Sequence, residues 1–191
     1  MSVAGVVLAA GASRRLGSPK QLQMLHGKTL LHRAVRVAAE AGCSPVIVVL
    51  GADAEKIRAA CPLDDVVVVI NGGWEEGMAS SLRLGVETCR LVARQAEGLI
   101  VMTCDQPAIT ANHLRRLMEK EDATASRYAG RSGVPAFFPA SDFEALLELR
   151  GDTGARDLIA NAEASDLEGG EVDIDTAEDM ERARGRFGTD F

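Results

Sequence analysis

A short segment near the start of the chain combines small residues with positive charge. Residues 8–20 read LAAGASRRLGSPK and follow an apolar run that predicts a buried strand. The small side chains from Ala9 to Gly11 leave the backbone open, so that successive N–H groups can face an anion. Arg15 adds a planar fork of donors, and Lys20 adds a point charge. The segment therefore predicts a binding site for phosphate groups.

Two familiar phosphate-binding loops do not fit this segment. Gly17 is the sixth residue after Gly11, whereas the second glycine of a P-loop is the fifth, and Ser18 and Pro19 stand where that loop requires Lys followed by Ser or Thr. The chain has no Gly-x-Gly-x-x-Gly fingerprint of dinucleotide-binding enzymes, which argues against a Rossmann oxidoreductase. A solvated turn whose basic residues face water is the remaining alternative, and the length of the pattern favours the anion site.

Asp105 directly follows the apolar run from Leu99 to Cys104, which predicts another buried strand. The carboxyl ends of parallel strands line the ligand crevice of an open sheet, so we expect Asp105 to face the phosphate-binding segment. A carboxylate beside bound phosphates is suited to hold Mg²⁺. An ordinary role at a turn or at the start of a helix is the alternative.

Two further carboxylates, Asp173 and Asp175, lie near the end of the chain. Magnesium is usually held by one or two carboxylates together with phosphate oxygens and water. On an extended segment both aspartates point the same way, with Ile174 opposite. Asp175 also fits the start of a helix, where capping would account for it. Asp173 is therefore the preferred second metal ligand, and Asp175 stays the alternative.

A third polar segment, residues 71–81, follows another apolar run and reads NGGWEEGMASS. Ser80 and Ser81 predict the start of a helix whose N–H groups could meet an anion. Trp74 is the sole tryptophan of the chain. Its place in a polar loop fits either contact with a ligand or anchoring of the loop.

The elements that position these residues alternate between apolar strands and amphipathic helices. This alternation predicts βαβ units and a parallel sheet that is covered on both faces. The predicted strands are 3–8, 45–50, 66–70 and 99–104, and the predicted helices are 29–41, 53–60 and 80–96. The second half predicts a helix capped by Thr110, a hairpin of strands 123–129 and 134–138, helices 141–149 and 155–161, a strand at 171–174, and a last helix that begins at Asp175 or Thr176.

Composition limits the class of partner. The net charge of −7 disfavours nucleic acid and anionic membranes. The first apolar run is too short to span a bilayer and has no cationic flank, so the cytoplasm is expected. Four cysteines without a Cys-x-x-Cys spacing predict reduced thiols rather than a zinc site. The length of 191 residues predicts a single domain, 1–191.

Together these segments resemble the MobA-like NTP transferase family. Ala9 and Ala10 before Gly11 resemble its cytidylyltransferase branch (MocA-like), which modifies the molybdenum cofactor, whereas the guanylyltransferase branch usually has Ala-Gly-Gly. Leu16 stands where methionine is usual. The resemblance extends from Leu8 to Asp179 and implies a three-layer α/β/α Rossmann-like fold with a mostly parallel sheet.

The resemblance also implies a role for each matching residue. Those implied for catalysis are Arg15, Lys20 and Asp105. Those implied for nucleotide binding are Leu8, Ala9, Ala10, Gly11, Ser13, Arg15, Lys20, Asn71 and Ser80. Those implied to hold magnesium are Asp105 and Asp173, and those implied to bind the acceptor are Trp74, Met78, Ser81, Gly133 and Arg156. Val134 replaces a histidine of the family, and Ala177 replaces a proline.

These residues predict a magnesium-dependent transfer of a nucleoside monophosphate, CMP from CTP, to a phosphorylated acceptor with release of pyrophosphate. The resemblance implies molybdopterin as the acceptor and a molybdoenzyme as a recipient of the product. Another NTP, or a sugar phosphate as acceptor, is an alternative within the same chemistry. A carrier that delivers a pterin cofactor without catalysis is an alternative of another class, but it would not need two convergent carboxylates.

Overall fold

A mixed sheet of seven strands organises the computed structural model, which describes residues 2–152, 154–160 and 162–187. Its strands are β1 (Val3–Ala9), β4 (Val46–Leu50), β5 (Val67–Ile70), β6 (Gly98–Thr103), β7 (Thr124–Tyr128), β8 (Arg131–Pro139) and β9 (Glu163–Asp166). A small separate hairpin contains β2 (Met24–Leu25) and β3 (Lys28–Thr29).

The strand order in the sheet is β5-β4-β1-β6-β8-β7-β9. β8 runs antiparallel to both of its neighbours, and every other neighbouring pair in this sheet is parallel. The carboxyl ends of β1 and β6 therefore meet at one edge of the sheet, and the turn of the β7–β8 hairpin reaches the same edge. This arrangement confirms the predicted, mostly parallel α/β/α fold.

Seven helices accompany the strands in the described part of the chain. They are α1 (Leu30–Ala41), α2 (Ala54–Ala60), α3 (Met78–Val92), α4 (Ala111–Met118), α5 (Phe143–Glu148), α6 (Arg156–Ile159) and α7 (Ala177–Arg186). Thr29 and Thr110 cap α1 and α4 through their side chains, as predicted, and Gly42 ends α1 in the left-handed region. Among the described residues, no helix has both the length and the apolar character to cross a bilayer.

β1 shows why the sheet needs helices on both sides. Val3 and Val7 pack in one buried cluster with residues of α1 and α4. Val6 and Leu8 pack in a second cluster with residues of α3 and α5. A strand that is buried on both faces has no polar alternation, which is why its sequence is continuously apolar.

The chain after β8 differs from the sequence prediction. Residues 171–174 do not form a strand, and β9 pairs with β7 instead. The residues of β9, EASD, are polar and partly exposed at the edge of the sheet, so they carry little strand signal. Ile174, which suggested a strand, is buried beside α7 as a single apolar side chain.

Smaller differences concern the ends of elements. α3 begins at Met78 and ends at Val92, whereas helix 80–96 was predicted. β8 begins at Arg131, so the hairpin turn is shorter than predicted. α6 spans Arg156–Ile159, and Asn161, at the end of the predicted helix, lies outside the described residues. Thr176 rather than Asp175 caps α7.

Candidate active site

The loop after β1 is held from inside by hydrogen bonds to three successive carbonyl groups. Gln21 Nε2 donates to the carbonyl oxygens of Ala9 at 2.7 Å and Gly11 at 3.0 Å. The backbone N–H of Ala52 donates to the carbonyl oxygen of Ala10 at 3.0 Å. Within the described residues, no protein group accepts a hydrogen bond from the backbone N–H groups of residues 11–13. These donors are available to an anion.

Gln21 is a site residue that the sequence analysis missed. Its side chain is fully buried, and both carbonyl contacts use the same amide nitrogen. Its Oε1 has no hydrogen-bond partner in the structure. An isolated glutamine after a charged segment has no periodic or compositional signal, so its packing beneath the loop could not be predicted.

An ion-pair chain links the loop to the carboxylates. Lys20 Nζ donates to Asp105 Oδ2 and, at 3.0 Å, to Asp175 Oδ1. Arg15 Nη2 donates to Asp175 Oδ2 at 2.5 Å. Burial opposes the charge of Lys20, but attraction to Asp105 and the hydrogen bonds to both carboxylates raise its pKa above the usual value. Lys20 therefore remains cationic at the carboxyl edge of the sheet.

Asp105 and the segment before α7 are joined through the backbone. The N–H of Ile174 donates to the carbonyl oxygen of Asp105 at 3.0 Å, which places Asp173 and Asp175 beside it. Burial, followed by the charges of Asp105 and Asp175, raises the pKa of Asp173 to about 6. Three carboxylates from two distant parts of the chain thus lie close together at the carboxyl ends of the strands.

Carboxylate oxygens such as these are suitable ligands for a hard divalent cation. Asp105 is nearly buried, and its Oδ1 has no hydrogen-bond partner. A buried carboxylate oxygen without a partner is costly unless a cation or donor reaches it. The described residues contain no set of three or more His, Cys, Asp or Glu side chains already arranged around an ion position. Lys20 Nζ lies between Asp105 and Asp175 instead.

Two cavities meet at Asp105. The larger, about 520 Å³, lies over the loop after β1, and the smaller, about 310 Å³, lies towards the β7–β8 hairpin. The larger is lined by Leu8, Ala9, Ala10, Gly11, Arg14, Lys20, Gln21, Trp74, Glu75, Gly77, Met78, Ser81, Thr103, Cys104, Asp105 and Asp152. The smaller is lined by Met78, Thr103, Asp105, Gln106, Tyr128, Arg131, Ser132, Gly133, Val134, Asp152, Ala155, Arg156, Ile159 and Asp173. Four of these residues, Met78, Thr103, Asp105 and Asp152, line both.

Four residues predicted to bind nucleotide lie outside both linings. Ser13 Oγ accepts a hydrogen bond from the backbone N–H of Lys20 at 2.9 Å, which closes the loop. Arg15 is held by Asp175, as described above. Asn71 Nδ2 donates to Ser80 Oγ at 2.8 Å. In this structure Asn71 and Ser80 therefore bind each other and hold segment 71–81 in place.

The residues predicted for the acceptor are divided between the cavities. Gly133 and Arg156 line the smaller cavity, Trp74 and Ser81 line the larger, and Met78 lines both.

The smaller cavity has a second cation besides Arg156. The guanidinium carbon of Arg131 lies 5.8 Å from the centroid of the Tyr128 ring, and both residues line this cavity. The sequence analysis did not select either of them, because their place depends on the turn of the hairpin. Arg131 and Arg156 give the smaller cavity two cations that could pair with an anionic group, beside the three carboxylates of its lining, Asp105, Asp152 and Asp173.

Comparison with known proteins agrees with this geometry. The family model of the MobA-like NTP transferase domain matches residues 5–167. The chain belongs to this family. The resemblance inferred from the sequence is thereby confirmed at the level of the family, which is described as one of NTP transferase domains.

Two curated relatives differ in their stated activities. Nicotine blue oxidoreductase from Paenarthrobacter nicotinovorans is 33% identical, over 94% of this chain and 95% of its own. The probable molybdenum cofactor guanylyltransferase from Opitutus terrae is 35% identical, over 72% of this chain and 67% of its own.

Solved structures share the fold over nearly the whole chain. Rv0371c from Mycobacterium tuberculosis has a TM-score of 0.84 and 34% identity, covering 97% of this chain and 98% of its own. A complex of Rv0371c with manganese has a TM-score of 0.80 and 31% identity, covering 97% and 100%. The nucleotidyl transferase Mth528 from Methanothermobacter has a TM-score of 0.82 and 26% identity, covering 97% of both chains. The use of a divalent metal is consistent with this group of structures.

Proposed function

We propose that this protein transfers a nucleoside monophosphate from an NTP to a phosphorylated acceptor and releases pyrophosphate. The observation that carries the proposal is the position of Asp105 in the wall shared by the two cavities, in contact with Lys20. A donor in the larger cavity and an acceptor in the smaller one would meet at this wall.

The larger cavity supports binding of the nucleotide. The triphosphate would lie along the loop after β1, where free backbone N–H groups and the charge of Lys20 and Arg15 can meet its oxygens. An oxygen of the acceptor phosphate attacks the α-phosphorus, the bond from that phosphorus to the bridging oxygen breaks, and pyrophosphate leaves. Lys20 and Arg15 stabilise the charge that grows on the leaving group. Alignment of donor and acceptor supplies the rest of the rate enhancement.

A divalent cation, proposed as Mg²⁺, is suited to the carboxylates of this site. Asp105, through its unpartnered Oδ1, and Asp173 would hold it. When bound, such an ion neutralises phosphate charge and orients the reacting groups. Its arrival would also offset the mutual repulsion of the carboxylates that raises the pKa of Asp173.

CTP and molybdopterin are the proposed substrates. The Ala9–Ala10 pair favours cytosine, because the methyl group of Ala10 takes room that a glycine would leave to a purine. Arg131 and Arg156 suit an acceptor that carries a phosphate. Similarity to a molybdenum cofactor guanylyltransferase supports molybdopterin as the acceptor. A cytoplasmic setting and hand-over to a molybdoenzyme complete this proposal.

The test is pyrophosphate release, measured with each of the four NTPs against a panel of acceptors that contains molybdopterin, sugar phosphates and phosphocholine, with Mg²⁺ or Mn²⁺ present. Release with CTP and molybdopterin only is the expected result. Release with a sugar phosphate instead would keep nucleotidyl transfer and replace the acceptor. The absence of release with every pair would contradict the proposal.

Oxidoreduction is a second candidate, favoured by the similarity to nicotine blue oxidoreductase over 94% of the chain. In that case a redox nucleotide would occupy the larger cavity and the compound to be reduced would occupy the smaller one. Oxidation of NADH or NADPH in the presence of quinone-like dyes, without release of pyrophosphate, would support this function. A carrier without catalysis would bind the nucleotide and show neither reaction.

A further inference from the structure

Asp175 contacts two cations of the phosphate-binding loop at once. Its Oδ1 accepts a hydrogen bond from Lys20 Nζ at 3.0 Å, and its Oδ2 accepts one from Arg15 Nη2 at 2.5 Å. Because Lys20 also donates to Asp105, a continuous chain of ion pairs runs from Arg15 through Asp175 and Lys20 to Asp105. Each carboxylate of this chain therefore holds a cation that a triphosphate would need.

The start of α7 fixes Asp175 in this position. The N–H of Asp179 donates to Thr176 Oγ1, while Asp179 Oδ2 accepts from the N–H groups of Thr176 at 2.8 Å and Asp175 at 3.2 Å. On the other side, Ile174 is fully buried and its N–H is bound to the carbonyl oxygen of Asp105. Asp175 thus lies between a capping box and the buried side chain of Ile174. The backbone of Asp175 is therefore fixed on both sides, and its carboxylate is held close to Arg15 and Lys20.

The pair between Lys20 and Asp105 is shielded from solvent, whereas the side chains of Arg15 and Asp175 are 71% and 33% exposed. The side chains of Lys20 and Asp105 are 18% and 12% exposed. Charge pairs in such partly buried places are screened less by solvent and salt than pairs on the surface. A triphosphate that recruits Lys20 must separate it from Asp105 and Asp175. A divalent cation that binds Asp105 Oδ1 brings a second positive charge to the carboxylate that Lys20 contacts through Oδ2, so it weakens the same pair.

Both ligands therefore weaken one shared set of contacts. Once the triphosphate has drawn Lys20 away, a cation at Asp105 no longer meets a competing positive charge. Once the cation holds Asp105, Lys20 is released towards phosphate. Binding of one ligand therefore raises the affinity for the other. By thermodynamic linkage, each ligand changes the affinity of the other by the same factor.

We propose that Asp175 is a positioning residue that holds Arg15 and Lys20 in the free protein and makes binding of the divalent cation and binding of the triphosphate depend on each other. The inference rests on the proposed function and deepens it. It concerns the order of events at the site, because neither ligand alone meets a fully available set of partners.

The first test measures binding of inorganic tripolyphosphate in metal-free buffer by calorimetry. Asp175→Asn removes the carboxylate that holds both cations, so affinity should rise about tenfold, within the usual range of such couplings. Glu178→Gln is the matched control, since it removes the same charge from the exposed first turn of α7 and should change affinity by less than about twofold. An affinity for Asp175→Asn that equals or falls below that of the control would overturn the proposal.

The second test does not depend on Asp175 and measures Mn²⁺ binding to the free protein by electron paramagnetic resonance. Lys20→Met should tighten Mn²⁺ binding about tenfold, because Asp105 loses its competing cation. Arg14→Met removes the same charge from the same loop, and no ion pair of Arg14 is recorded in the described chain, so its effect should be clearly smaller. Equal Mn²⁺ affinity in the two variants would overturn the proposal.

Neither test uses nucleotidyl transfer. A protein that passes both tests and releases no pyrophosphate would refute the proposed function and keep the coupling of a polyanion with a cation. A protein that releases pyrophosphate but fails either test would keep the proposed function and refute the proposed dependence between the two ligands.

Discussion

The backbone N–H of Ile174 donates to the carbonyl oxygen of Asp105 at 3.0 Å. This single hydrogen bond connects the carboxyl end of β6 with the segment that enters α7. Because it acts on the backbone, it survives substitution of the neighbouring side chains. Variants of Asp105 can therefore be tested without displacing Asp173 and Asp175.

Asp105→Asn should lower pyrophosphate release at least about a hundredfold, because a metal-holding and charge-organising group at the reacting centre is lost. Binding of nucleotide in metal-free buffer should be retained or become tighter, since a negative charge is removed. Kinetics with Mg²⁺ and calorimetry in the presence of chelator measure the two effects. Asp64→Asn, an exposed aspartate before β5, is the control. Magnesium-dependent turnover at the normal rate in Asp105→Asn would remove Asp105 from the mechanism.

Two glycines, Gly11 in the loop after β1 and Gly51 packed against that loop, should respond differently to alanine. In Gly51→Ala the new Cβ would lie 2.7 Å from the carbonyl oxygen of Ala10 and from Trp74 Cβ, so the protein should lose about 1–3 kcal/mol of stability. In Gly11→Ala the Cβ would meet no protein atom within 4 Å, so stability should be kept. Because the free space beside Gly11 is proposed to hold the nucleotide, nucleotide affinity should fall.

Thermal unfolding and nucleotide binding, measured on both variants, separate these effects. The outcome that contradicts the interpretation is a stable Gly51→Ala protein, or a Gly11→Ala protein with normal nucleotide affinity. Gly72→Ala, where a Cβ also meets nothing within 4 Å, is a control for both measurements.

His113 should make the protein less stable in mild acid. Burial, with a smaller contribution from Arg116, lowers the pKa of His113 to about 4. The unfolded chain, with a histidine pKa near 6.5, binds the proton first. The stability that neutral His113 provides is therefore complete above about pH 6.5 and is lost as the pH falls towards 4, by up to about 3 kcal/mol.

Urea unfolding between pH 7 and pH 4.5 measures this effect. His113 is fully buried, and its Nε2 lies 2.7 Å from Ser126 Oγ, a contact that the amide of His113→Gln can replace without titrating. The variant should show a smaller loss of stability with falling pH. As a control, His32→Gln, on α1, should show the same dependence of stability on pH as the natural protein. If stability still depends on pH in the same way in His113→Gln, the acid sensitivity belongs to other groups.

Ala10 should influence the choice of base. CTP should displace GTP in competition experiments with Mg²⁺ present, and Ala10→Gly should move the preference towards GTP, because it removes a methyl group from the lining of the larger cavity. Discrimination by one methyl group is about 1–3 kcal/mol at most. Ready displacement of CTP by GTP in the natural protein would contradict the choice of cytosine.

The sequence predicted those parts of the molecule that depend on local pattern. Apolar runs without alternation identified strands that are buried on both faces, and Thr29 and Thr110 marked the starts of two helices. The meeting of the loop after β1 with Asp105 followed from the rule for parallel strands. The sequence pattern did not predict β9, because its residues are mostly polar and form an edge strand only through pairing with β7.

Other features of the site depend on packing and had no local signal. The position of Lys20 between Asp105 and Asp175 depends on how α7 docks, and the place of Gln21 beneath the loop depends on buried side-chain contacts. Asp173 was preferred over Asp175 because a capping role at the start of the last helix would account for Asp175, but Thr176 is the residue that caps α7. The structure adds that Asp175 is engaged by Lys20 and Arg15, whereas Asp173 lines the smaller cavity.

The reversed direction of β8 has a consequence for how new specificities could arise. Parallel strands supply the loop that is proposed to hold the nucleotide, whereas the start of β8 supplies Arg131 and Gly133 to the other cavity. The change of direction between β6 and β8 therefore separates the proposed donor half of the sheet from the proposed acceptor half. Loops and hairpin turns tolerate exchange better than the middle of the strands that they connect. A swap of residues 129–133, the turn and the first residues of β8, between relatives should transfer acceptor choice and leave the nucleotide half intact.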